Sequence, residues 1–126
     1  MTNPIVRFKT MTDYTKAVWV LSTEYTNLDL AMLKRIGYTY LFIQVDSTNY
    51  TTVLPHVLGL EGISDFKVFA WINCFYDGAE WLKPTDTDRQ TTVINFAKTL
   101  ATTYAIQGIH LDYCRWSGAC DEEASL

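Results

Sequence analysis

Four short apolar runs fix most of what this chain can become. They are AVWVLS (Ala17–Ser22), TYLFIQV (Thr39–Val45), KVFAWINCF (Lys67–Phe75) and GIHLDY (Gly108–Tyr113), each rich in Val, Ile or aromatics. A strand whose apolar character is nearly continuous is one covered on both faces, as in a parallel sheet. Between the runs lie helical patterns. NLDLAMLKRIG offers Asn27 as N-cap and Gly37 as a stop. TTVLPHVLGLEG is weaker, because Pro55 fits only near a helix start. The third pattern is the strongest: Thr87 and Gln90 have capping-box spacing, and Val93, Phe96, Ala97, Leu100 and Tyr104 make one apolar face. The order β-α-β-α-β-α-β predicts an α/β fold of parallel strands joined by right-handed crossovers.

Length then limits the architecture. At 126 residues a single domain over 1–126 is expected, with residues 117–126 (SGACDEEASL) as a loop or tail. A closed (β/α)8 barrel usually needs at least about 200 residues. Four βα units therefore read as the front half of a TIM-type barrel cut short, as a half-barrel completed by a second copy, or as a small open sheet. A lone half-barrel would have to hide a large apolar face, which predicts a homo-oligomer or a place in a longer chain or assembly.

Composition narrows the partners. A chain 48% apolar and 19% charged is built to fold. Its net charge of −4, with Lys and Arg scattered, supplies no footprint for nucleic acid. No run of about 18 apolar residues is present to span a membrane. No apolar segment follows a basic start, so no signal peptide is visible, which leaves a cytoplasmic, phage-borne or surface-assembly setting open. Three Cys are too few for a disulfide framework. Cys114 and Cys120 could close a small loop with Cys74 left over; three reduced thiols is the simpler reading.

In either α/β architecture, function gathers at the carboxyl edge of the sheet. Glu24 and Tyr25 follow the first run, Gln44 and Asp46 the second, Asn73, Cys74, Tyr76 and Asp77 the third, and Asp112, Tyr113, Cys114, Arg115 and Trp116 the fourth. Strand alternation puts Ile109, Leu111 and Tyr113 on one face, and His110, Asp112 and Cys114 on the other. It likewise separates Leu41, Ile43 and Val45 from Phe42, Gln44 and Asp46. The polar sets then face a barrel interior or a cleft, where His110 is expected to be buried and hydrogen-bonded. His110, Asp112, Cys114 and Cys74 suit zinc by type, but three ligands from one extended strand span too far for tight coordination. No metal and no cofactor is expected, and neither a phosphate-binding loop nor a G-x-S-x-G or H-E-x-x-H motif occurs.

GIHLDYCRWSG (Gly108–Gly118) resembles the GIHLDYIRYPG signature of glycoside hydrolase-like TIM barrels, the family 10-like glycosidases, where it lies at the fourth barrel strand. It is also similar to the fourth-strand motif of family 18 chitinases. VFAWINCFYDG resembles the third strand of the same group. Gly108, Ile109, His110, Leu111, Asp112, Tyr113 and Arg115 match. Trp116 stands where Tyr is usual, Ser117 replaces Pro, and Cys114 occupies the position of a chitinase's catalytic Glu.

The resemblance implies a domain that hydrolyses or recognises polysaccharide. Asp112 becomes the candidate catalytic acid or nucleophile. Such chemistry requires a second carboxylate roughly 5–10 Å away, and Glu24 and Asp46 are the candidates. His110, Tyr113, Arg115, Trp116, Trp71, Asn73, Gln44 and Trp81 are the implied substrate contacts. Trp81 and Trp116 fall in predicted loops and suit sugar stacking, whereas Trp19 and Trp71 lie within strands and read more readily as core. The alternative is a carbohydrate-binding or structural module on a degenerate barrel, without turnover.

Overall fold

A computed structural model describes residues 15–116. The predicted tail 117–126, with Cys120 and Ser117, lies outside the described residues. Four strands alternate with three helices: β1 (Ala17–Val20), α1 (Leu30–Arg35), β2 (Tyr40–Gln44), α2 (Tyr50–Leu58), β3 (Lys67–Asn73), α3 (Thr87–Thr103) and β4 (Gly108–Asp112). The strands form one all-parallel sheet in the order β1-β2-β3-β4. Sequential order with right-handed crossovers places every connecting helix on the same face.

Burial follows that asymmetry. One parity of the first three strands supplies the dry residues: Val20 on β1, Leu41 and Ile43 on β2, and Val68, Ala70 and Ile72 on β3. These pack with Leu30 and Leu33 of α1, Val53, Leu54 and Val57 of α2, and Leu100 of α3. Val93, Phe96, Ala97 and Tyr104 line the same core, as the period of α3 predicts. Leu111 has the core-facing parity too, yet it is 50% exposed, because no helix follows β4 among the described residues.

The helix boundaries correct the capping expectations. Asp29, not Asn27, caps α1: its carboxylate accepts from the Met32 amide, while residues 25–27 form a separate 3-10 turn. Gly37 does end the segment, at φ 97, a conformation that costs a residue with a Cβ. Asp86, not Thr87, caps α3, accepting from the amides of Asp88 and Arg89. An Asp preferred over the adjacent Thr agrees with the ranking of N-caps. Pro55 sits inside α2 rather than at its start. Its missing N–H leaves the Thr51 carbonyl without its helical donor. Both residues are on the exposed side, where water can serve instead.

The second face of the sheet carries no helix among the described residues. Its rows can be read from the register: Trp19–Phe42–Phe69–Gly108, then Gln44–Trp71–His110, then Asn73–Asp112. The rings stack in sequence, Trp19 on Phe42 at 4.9 Å and Phe42 on Phe69 at 5.0 Å between centroids. Gly108 completes the row without a side chain; a Cβ there would stand 3.3 Å from the Phe69 ring.

This face is concave. The Trp19 indole N–H donates to His110 Nε2 at 3.2 Å, joining the two outermost strands. In a flat sheet those strands would lie about 14 Å apart, farther than the two side chains can span. The sheet therefore curls around its aromatic rows. Trp19 is 52% exposed, so the expectation that it belongs to the core fails: the core is on the other side.

Candidate functional site

The carboxyl edge gathers the polar residues into three settings. The first is a cleft of about 440 Å³ between the strand ends and the start of α3, where Gln44, Asp46, Asn73, Tyr76, Asp77 and Arg89 contribute to the wall. Gln44 is anchored by the Ser22 amide, which donates to its Oε1 at 3.2 Å. Asp46 is committed to its own turn: Oδ1 accepts from the Thr48 amide, the Thr48 hydroxyl and the Asn49 amide at 2.8, 2.6 and 3.0 Å. Such an Asx turn before a helix explains an Asp at this position without any chemistry. Asn73 is different. Its Oδ1 is buried with no hydrogen-bond donor among the described residues. A buried acceptor left without a partner costs about 1–3 kcal/mol, and Asn73 is the one residue of the cleft wall that carries such a cost among the described residues.

Arg89 was not singled out by the sequence, and Asp77 was named only as one of the residues that follow the third run. Arg89, in the first turn of α3, donates through Nε to the Cys74 carbonyl and through its terminal nitrogen to the Asn73 carbonyl at 3.0 Å. It fastens the helix to the end of β3. Asp77 Oδ1 accepts from the Ala79 and Glu80 amides, both at 2.8 Å. These amides, with a smaller contribution from Arg89, hold its carboxyl below the ordinary 3.8. The helical period of α3 marks Arg89 only as polar; its role depends on how α3 docks.

The second setting is the concave face. Trp71 donates from Nε1 to Asp112 Oδ2 at 3.0 Å, and the Tyr113 amide donates to Asp112 Oδ1 at 2.8 Å. Both carboxylate oxygens are thus engaged, one by an indole on the adjacent strand. His110 stands between Trp71 and Trp19, as an acceptor from the latter. The expectation that His110 and Asp112 point to the face opposite the helices agrees with the register. It stops there. Tyr113 adopts a left-handed φ of 55, which breaks the alternation. Cys114 therefore leaves the polar face and meets Cys74, and Tyr113 does not join Ile109 on the helix side.

Tyr113 belongs instead to the third setting, an aromatic cluster. Its ring stacks on Tyr76 at 5.0 Å and meets Trp81 edge-on at 5.3 Å. A bridge between residues 76 and 81 holds that loop. The Arg115 guanidinium lies 4.6 Å over Trp81, covering one face of it. Tyr76 is shared by cleft and cluster, which makes them contiguous.

Two candidates stand outside all three settings. Glu24 accepts from the Asn27 side chain at 2.8 Å in the turn after β1. Trp116 makes no ring pair among the described residues, and its carbonyl accepts from Arg115. No group of three or more His, Cys, Asp or Glu among the described residues is placed to hold a metal. No protein-family model, curated protein or solved structure matches the chain.

Proposed function

We propose that this chain is four βα units of a TIM-type barrel whose carboxyl edge recognises carbohydrate. The sequential strand order and the concave curl support the barrel reading, since a doubly wound sheet reverses its order at a switch point and stays open. On that reading further strands continue the two edges, from a second copy or from additional chain.

The observation that carries the carbohydrate reading is the polar cleft, walled by Gln44, Asn73 and Asp77, that shares Tyr76 with an aromatic cluster. Sugars present hydroxyl donors beside apolar ring faces, and this edge offers an acceptor beside aromatic rings. Gln44 adds hydrogen-bonding capacity to the cleft wall. Hydrolysis is the second reading, favoured by Asp112 in the fourth-strand motif with its carboxylate on the concave face. It requires a partner carboxylate about 5–10 Å away. Asp46 is occupied in its turn and Glu24 is held by Asn27, so recognition without turnover is the better-supported form.

Calorimetry with chito-, cello- and xylo-oligosaccharides tests both, the same samples being followed by mass spectrometry for cleavage. Binding that weakens at least tenfold in Asn73→Ala, without cleavage, supports recognition. Cleavage lost in Asp112→Asn would replace it with hydrolysis. No heat with any glycan would refute the carbohydrate reading.

A further inference from the structure

We infer that Cys74 and Cys114 form a dithiol–disulfide pair, closed by a small disulfide such as oxidised glutathione and reopened by a thiol reductant. Their sulfurs lie 2.6 Å apart, although the residues are 40 positions apart in sequence. The backbone accounts for this proximity. The Cys74 amide donates to the Asp112 carbonyl at 2.8 Å and the Phe75 amide to the Tyr113 carbonyl at 3.1 Å, so the two chains run side by side beyond the sheet. Neighbouring chains at strand spacing, about 4.8 Å, fall within the Cα separations that disulfides bridge. The left-handed turn at Tyr113 then brings Cys114 to the Cys74 side.

The two thiols are unequal in a way that orders the chemistry. Cys114 is exposed and Cys74 is buried. The Cys114 thiol loses its proton, and the thiolate attacks the oxidant's disulfide. One glutathione thiolate leaves, and Cys114 holds the other glutathione as a mixed disulfide. Cys74 then gives up its proton and attacks the Cys114 sulfur, expelling the second glutathione thiolate. Two electrons pass from the pair to the oxidant, and the two thiol protons go to solvent or to the departing thiolates. Burial, followed by the contact with Cys114, pushes the Cys74 thiol up to about 12. Cys74 is therefore the slow, resolving partner and Cys114 the one that engages the oxidant.

The bond would tie the end of β3 to the segment carrying Tyr113 and Arg115. It would also enclose the loop that bears Tyr76 and Trp81. The aromatic cluster would then be held by a covalent strap, whatever ligand it serves.

The test uses the full chain carrying Cys120→Ser, equilibrated across glutathione redox buffers, trapped by acid and alkylation, and mapped by peptide mass spectrometry. We expect an oxidised monomer lighter by two hydrogen atoms, with one cross-linked peptide pair joining Cys74 to Cys114. Its melting temperature should rise above that of the reduced form, and Cys114→Ser should abolish that rise. Both thiols remaining alkylatable in every buffer would overturn the inference. So would a persistent glutathione adduct on Cys114, a disulfide between chains, or, in the chain with Cys120 present, a predominant Cys114–Cys120 link. Should Cys114→Ser fail to fold, the peptide map of the Cys120→Ser chain decides the matter alone.

Discussion

Asp112 has two possible reasons to be where it is, and stability measurements separate them. Its carboxylate accepts from the Trp71 indole and from the Tyr113 amide. Hydrogen bonds to a charged group contribute about 1.5–3 kcal/mol each. Both here are only partly buried, so water recovers part of the loss when the acceptor is removed. Asp112→Ala should therefore destabilise the fold by about 2–3 kcal/mol, a large share of the 5–15 kcal/mol typical of a domain. With a urea slope of about 1–3 kcal/mol/M, the midpoint should fall by about 1 M or more. Trp71→Phe removes only the indole donor, and the double variant closes a cycle. The coupling between residues 71 and 112 should come out at about 1–2 kcal/mol, since it isolates the one shared bond. A loss under about 0.5 kcal/mol for Asp112→Ala would refute this account and show that the carboxylate is tolerated for its chemistry rather than used by the fold.

Three further outcomes follow from the same structure. Leu54 is fully buried between α2 and the sheet, so Leu54→Ala should cost about 3–5 kcal/mol by urea denaturation, against near neutrality for Ile94→Ala on the exposed side of α3. Asp86→Ala removes the cap of α3, which holds two amides, and should cost about 1 kcal/mol in the same assay, with Asp86→Asn recovering most of it. Alkali should destabilise the reduced protein through Cys74: the unfolded thiol ionises near 9.0 whereas the folded one waits until about 12. The unfolded state thus holds fewer protons in that window, so stability is intact below 9.0 and declines as pH rises. Comparison of urea midpoints at about pH 7 and about pH 10 should show a smaller decline in Cys74→Ala than in the parent.

The strands were legible because their signal is redundant. In KVFAWIN a helix-facing set, Val68, Ala70 and Ile72, alternates with Phe69 and Trp71, and both sets are apolar, so existence and type survive any error in register. That same redundancy hid which face is bare. Aromatic residues on a concave surface that none of the described helices covers read like core, and Trp19 was misjudged for that reason. Caps failed by one or two residues because Asn27, Asp29, Asp86 and Thr87 are all competent N-caps, and only the docked chain selects among them. The site was visible where it depends on alternation, as at His110 and Asp112, and invisible where alternation breaks. Nothing local announces that Tyr113 takes a left-handed φ, and the meeting of Cys74 with Cys114 depends on that one angle. Arg89 escaped notice because its partners are backbone carbonyls, which any sequence could supply.

The curl of the sheet has a consequence for growth. A parallel sheet ends in two unlike borders, and here β1 offers one and β4 the other, so copies that join β1 to β4 do so head to tail, whereas a border that meets its own copy pairs antiparallel about a two-fold axis. Head-to-tail joining has no intrinsic stopping point; it makes a ring where each step turns through a fixed angle and a filament where it does not. The indole-to-imidazole hydrogen bond that draws β1 toward β4 helps to set that angle. Trp19 and His110 thus help to set how far each repeat of the sheet turns, with one hydrogen bond between two rings.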